Sequence, residues 1–168
     1  MEISGYKAFD KNMRNWCGFE FEEGKTYHIN GPIIFGRDGN GFHMSKRLED
    51  TFRFVEKEGV IVARVTGFGE IVEGFDNYNE YFDMYSTSDI RIDRILSRNE
   101  IITLMLEKNE LQVCRFISTG FKLTEDEINL FRKKFAYSSK VNQHLDYYML
   151  GDEEAFKKKF VRPNILRR

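Results

Sequence analysis

The spacing of apolar positions changes along the chain. Up to residue 104 the pattern is one of short runs divided by turn residues, and beyond it the stripes are helical. Tyr6-Lys7-Ala8-Phe9 reads as a strand. Gly18-Phe19-Glu20-Phe21-Glu22 alternates apolar and acidic residues, as a half-buried strand does. Lys25 to Ile29 forms another candidate strand after the turn at Gly24. Asn30-Gly31-Pro32 and Arg37-Asp38-Gly39-Asn40-Gly41 are turn signals, and Gly41 to Met44 is short and extended. Ser45 stands where a helix N-cap is needed, and Leu48, Phe52 and Val55 then recur at helical spacing as far as Lys57, with Gly59 as the stop.

Val60 to Val65 is the clearest strand, and its near-continuous apolar run predicts burial on both faces. Glu70 to Glu73 is a shorter strand. Phe75 to Tyr85 has no clean period and reads as a loop. Asp89 to Leu96 alternates charged and apolar residues, which predicts an outer strand. Ile101 to Glu107 fits either state. Thr124 with Glu127 spells a capping box, and Ile128, Phe131 and Phe135 carry a helical stripe to Ala136. A second helix runs from Val141 to Leu150 and ends at Gly151. Asp152 caps a third, Glu153 to Phe160, which Pro163 prevents from continuing. The expected fold is α+β. A mixed or antiparallel sheet domain with one inserted helix, residues 1–104, precedes a helical segment, residues 105–168, packed on it or extending from it.

Composition changes this picture in one respect. The 168 residues sum to a formal charge of −1, but that total hides a split. Residues 1–104 hold 13 Lys+Arg against 18 Asp+Glu, a charge of −5, and residues 105–168 hold 13 against 9, a charge of +4. The basic residues cluster at Arg132-Lys133-Lys134, at Lys157-Lys158-Lys159, and at Arg162, Arg167 and Arg168. Such runs attract a phosphate backbone or an acidic protein face, and they equally suit a solvated helix face. With 41% hydrophobic residues the chain is not disordered, and no run approaches the ~18 apolar residues of a membrane span. The start of the chain lacks a signal-peptide layout, so a cytoplasmic protein is expected. Cys17 and Cys114 are read as free thiols, and the three histidines have no metal-ligand spacing.

Candidate chemistry centres on Gly41-Phe42-His43-Met44-Ser45. Strand alternation puts Phe42 and Met44 on one face and His43 on the other, beside an expected helix start that favours an anion. His43 titrates near neutral pH and suits proton transfer, although a structural histidine near a turn has the same signature. Metal-free RNA cleavage needs a base, an acid and a phosphate-binding cation, and His43 with Lys7, Lys25 or Arg47 offers such a set. Tyr78, Tyr81, Tyr85, Tyr147 and Tyr148 are candidates for base stacking or a protein interface.

Tyr6 to Asp10, Cys17-Gly18-Phe19-Glu20-Phe21-Glu22-Glu23-Gly24-Lys25-Thr26-Tyr27, Gly41-Phe42-His43 and Ala63-Arg64-Val65 together resemble an uncharacterised domain family common in phages and prophages. The resemblance covers roughly residues 5–96. The chain departs from that family's pattern in lacking an arginine between Cys17 and Gly18 and in carrying Ser45 where cysteine is frequent. The resemblance implies a protein that acts on a host or defence nucleoprotein or RNA, such as a CRISPR inhibitor. A more distant similarity, carried by Gly41 to Ser45 and Val60 to Val65, is to the ADP-ribosyltransferase-like fold. It implies NAD as cofactor and a set drawn from Lys7 or Phe9, His43 or Ser45, and Asp89. Without it no cofactor is expected. A non-catalytic interaction module is the third expectation.

Overall fold

The computed structural model describes residues 1–15, 17–36, 38–52, 60–76 and 79–151, and of 75, 76 and 79–83 the backbone alone. The expectations at Val55, Lys57, Gly59, Tyr78, Asp152 to Phe160 and Arg162 to Arg168 lie outside the described residues, as does the side chain of Tyr81. The chain is α+β. It divides into two compact units, Met1–Leu96 and Ser97–Arg168.

The first unit holds β1 (Ile3–Phe9), β2 (Thr26–His28), β3 (Phe42–Ser45), α1 (Leu48–Thr51), β4 (Ile61–Asp76) and β5 (Asn79–Ile95). Every strand pairing is antiparallel. β1 pairs with β4 along its whole length, from Ile3↔Gly67 to Phe9↔Ile61. β4 pairs with β5, and β5 gives its other edge first to β3 and then to β2. β3 returns to β1 through Tyr6↔Ser45, so β1, β4, β5 and β3 form a closed ring. At this seam the strands approach so closely that a Cβ on Gly5 would lie 2.5 Å from the Ser45 carbonyl oxygen. Phe9, Phe21, Phe42, Met44, Ala63, Val65, Ile90 and Ile92 fill the interior.

Four expectations need correction. Phe75 to Tyr85 is not a loop: β4 and β5 continue as a hairpin paired as far as Asp76↔Asn79. The ladder propagates from the buried ring, so this stretch needs no alternation of its own to set the register. Asp89 to Leu96 is not an outer strand, because β5 is paired on both edges. Its alternation marks an inner and a solvated face, not a sheet edge. Gly18 to Glu22 is not a strand beyond the single bridge Arg14↔Glu20. There Asp10 Oδ1 accepts the backbone N–H groups of Asn12 and Arg14, and Asn15 Oδ1 accepts that of Phe19, so side chains satisfy the loop locally. Ser45 is the last residue of β3 and caps nothing. Arg47 takes the N-cap position of α1 without a side-chain bond.

The break expected between Val60–Val65 and Glu70–Glu73 is a bulge within one strand. Phe68 pairs with Asp89 and Ile71 with Thr87, which leaves one extra residue in β4. Gly69 sits there at φ +76, and the N–H of Glu70 donates to Ser88 Oγ at 2.9 Å.

The second unit holds α2 (Arg98–Leu106), α3 (Glu110–Ser118), α4 (Glu125–Lys134) and α5 (Ser139–Met149). Capping boxes start α2, α3 and α4: Ser97 with Glu100, Asn109 with Gln112, and Thr124 with Glu127. Ser138 caps α5. The apolar faces bury Ile101, Ile102, Met105, Val113, Phe116, Ile117, Ile128, Phe131, Val141 and Leu145. Arg98 clamps α2 to α4 through both Glu127 oxygens, at 2.6 and 2.7 Å, donates to the Lys122 carbonyl, and lies over the Phe121 ring.

Gly69→Ala tests the bulge. An added Cβ would lie 2.1 Å from Ser88 Oγ and 2.2 Å from Asp89 Oδ2, in a backbone region that itself costs about 1–3 kcal/mol for a side chain. Urea unfolding is expected to show a lower midpoint with an unchanged slope. The loss should exceed that of Gly24→Ala, whose φ is +81 but whose Cβ would meet nothing within 4 Å.

Candidate functional site

The residues expected at one catalytic centre occupy different faces of the ring. Phe42 and Met44 point into the core, so alternation turns His43 and Ser45 outward. Lys7 shares the inward face of β1 with Gly5 and Phe9. The Lys7 ammonium reaches His43 only through the backbone, donating to its carbonyl at 2.7 Å. The imidazole lies beyond, with its Nε2 accepting the Gly36 N–H at 3.2 Å and its ring 5.3 Å from the Phe35 ring. Burial, and then the nearby Lys7 charge, pushes the His43 pKa down to about 4, so the ring is neutral at physiological pH. Ser45 is 2% exposed.

Asp89 belongs to a different cluster, which sequence reasoning missed. His28 and Asp89 are direct partners in the β2–β5 ladder. His28 Nδ1 lies 2.8 Å from Asp89 Oδ1, and Nε2 lies 3.1 Å from Asn30 Oδ1. Both ring nitrogens therefore face oxygen acceptors, the arrangement that suits the doubly protonated ring. Ser88 Oγ donates to the other Asp89 oxygen at 2.6 Å. These bonds raise the His28 pKa, with the Asp89 bond the largest contribution, and they hold Asp89 below its ordinary value, with the Ser88 bond first. The sequence signal was the spacing that makes His28 and Asp89 cross-strand neighbours, which is invisible until the register is known.

The basic residues also separate by environment. Lys25 is paired with Glu22 at 2.7 Å, and Arg47 is exposed. Arg132 is held by Asp146 at 2.6 Å and by Asn142 at 3.3 Å. Lys133 and Lys134 are exposed in the last turn of α4, and Lys140 is exposed in the first turn of α5. Between them Tyr137 is fully exposed, at 104%. Tyr137 lies past the end of α4, in the turn that leads to α5, with Lys133 and Lys134 before it and Lys140 after it along the chain. Tyr137 was not among the expected stacking residues. Of those that were, Tyr148 uses its hydroxyl internally: it donates to the Phe121 carbonyl and accepts the Leu123 N–H. Tyr85 lies under Lys46, whose Nζ is 4.5 Å from the ring centre.

Among the described residues no group of three or more His, Cys, Asp and Glu side chains is placed to hold a metal ion. Among them, no helix is long and apolar enough to cross a membrane. Residues 3–103 match the model of a family described as a domain of unknown function (DUF7666), and the chain belongs to that family. No curated protein and no solved structure matches the chain.

The His28 cluster predicts a pH dependence with a definite sign. Because the His28 pKa is raised above 6.5, its stabilising contribution is complete below that value and is lost as pH rises through the raised one. The Asp89 contribution is present above 3.8 and is lost as pH falls through its lowered value. Urea midpoints should therefore fall as pH rises above 6.5, and His28→Gln should flatten that fall. A His28 ring resonance that titrates at or below 6.5 would contradict the arrangement.

Proposed function

We propose that the protein is a binding module for single-stranded RNA, acting on an RNA or nucleoprotein target through the basic tip of its helical unit. One observation carries this reading: Tyr137 is fully exposed in the short turn between α4 and α5, and the helix ends on either side of that turn carry the exposed Lys133, Lys134 and Lys140. An aromatic face takes a stacked base, and flanking cations take the phosphates on either side. The helix dipole accounts for lysines at the end of α4, where carbonyls point outward, but not for a tyrosine wholly in solvent. The +4 charge of residues 105–168, to which Lys157, Lys158, Lys159 and Arg162 contribute, draws the same class of ligand.

Binding is favoured over RNA cleavage by the arrangement around His43. Its Nε2 already accepts a backbone N–H, and the Lys7 amine lies on the other face of β3. The resemblance to phage-borne domains points to a host or defence nucleoprotein as the source of the RNA.

Affinity for a fluorescent single-stranded RNA, measured over a range of salt, tests the proposal. Replacing both Lys133 and Lys134 with Ala should reduce the slope of log K against log salt by about 1.4. Tyr137→Ala should cost about 1–3 kcal/mol of binding and leave the slope unchanged. Wild-type binding that ignores salt, or full affinity in all three substitutions combined, would overturn the reading.

A further inference from the structure

A lysine on the inward face of a core strand needs a reason, because burying an ammonium costs free energy unless a carboxylate or several acceptors compensate it. Lys7 has neither. Among the described residues it forms no ion pair, and its hydrogen bond goes to one neutral acceptor, the His43 carbonyl. The rings of Phe9 and Phe21 flank it, with centres 5.9 and 5.7 Å from Nζ. Phe21 in turn packs edge-on against Phe19, with ring centres 4.8 Å apart, and Phe19 is 45% exposed. Phe9 and Phe21 are buried, and Phe19 carries this aromatic cluster out to solvent.

We propose that Lys7 is a covalent capture site for small apolar aldehydes, distinct from the RNA-binding tip. The neutral amine adds its lone pair to the carbonyl carbon. The carbonyl oxygen takes up the two nitrogen protons and leaves as water, and a C=N bond replaces C=O. No electrons are gained or lost overall. Apolar surroundings favour the uncharged amine that this step requires, and burial lowers the Lys7 pKa to about 8, so much of the amine is neutral near that pH. Lys25 offers the contrast: it is exposed, bound to Glu22, and has its pKa raised. The phenyl groups beside Lys7 fit an aromatic or aliphatic aldehyde better than a charged keto acid.

The test compares lysines within one folded wild-type chain, so it needs no variant at Lys7. The protein is treated with benzaldehyde and sodium cyanoborohydride, which reduces the C=N bond to a stable benzylamine, and peptides are mapped by mass spectrometry. Lys7 should be labelled roughly tenfold faster than Lys25 near pH 8, with its rate levelling off above that pH while that of Lys25 keeps rising. Equal or slower labelling of Lys7, or parallel pH profiles, would overturn the proposal.

Discussion

Strand β5 has two edges, and the first unit depends on both being occupied. One edge carries β4 along nearly its whole length, while the other is divided between β3 and β2. That division lets β1, β4, β5 and β3 close into a ring, and closure defines an inside and an outside. Ile90 and Ile92 face in and Asp89 and Arg91 face out, because side chains alternate along a strand. Of the buried polar run Ser86-Thr87-Ser88, the last two hydroxyls are hydrogen-bonded, while Ser86 Oγ is buried without a partner among the described residues. Thr87 donates to the Asp89 carbonyl, and Ser88 bonds both the Asp89 carboxylate and the N–H left over by the β4 bulge.

The candidate sites follow from this geometry. The His28–Asp89 pair exists because β2 joins β5 in a register that sets these two residues opposite each other on the solvated face. Lys7 is held inside because it shares a strand face with Phe9. His43, only a hydrogen bond away through its carbonyl, looks outward from the next strand. Lys7 is thus set on the opposite face of the sheet from His43, Ser45 and Asp89, with which sequence reasoning grouped it. In the helical unit, Arg132 is committed to Asp146, while Lys133, Lys134 and Lys140 are exposed on either side of Tyr137 in the chain.

Local signals were legible and non-local ones were not. The α+β class, β1, β2, β3, the capping box of α4 and the stop of α5 at Gly151 can all be read from neighbouring residues. The capping box of α2 was equally local, but the apolar run Ile101 to Glu107 fits strand or helix, and α3 passed unnoticed. The long β4–β5 hairpin was broken in two by Gly67 and Gly69 and lost its outer end to a loop, because a bulge and a turn share the same glycine-rich signature. Phe19 and Phe21 alternate like strand residues yet sit in a loop that Asp10 and Asn15 tie together. At the candidate sites, residue types could be read but not their faces, which depend on register.

The closure of the ring also sets an order of assembly. Its pairings join residues as distant as Ile3 and Gly67, or Thr26 and Arg91, so the chain entropy of long loops is lost before most contacts form. Until residues 79–95 have been synthesised, β4 lacks its partner on one edge and β3 and β2 lack theirs, with Phe9, Phe21 and Phe42 awaiting their cover. The helices that follow carry their own start signals within four residues of each cap. During synthesis the first unit is therefore a set of open strand edges and uncovered phenyl rings, which is the state that chaperones bind and that aggregates form from.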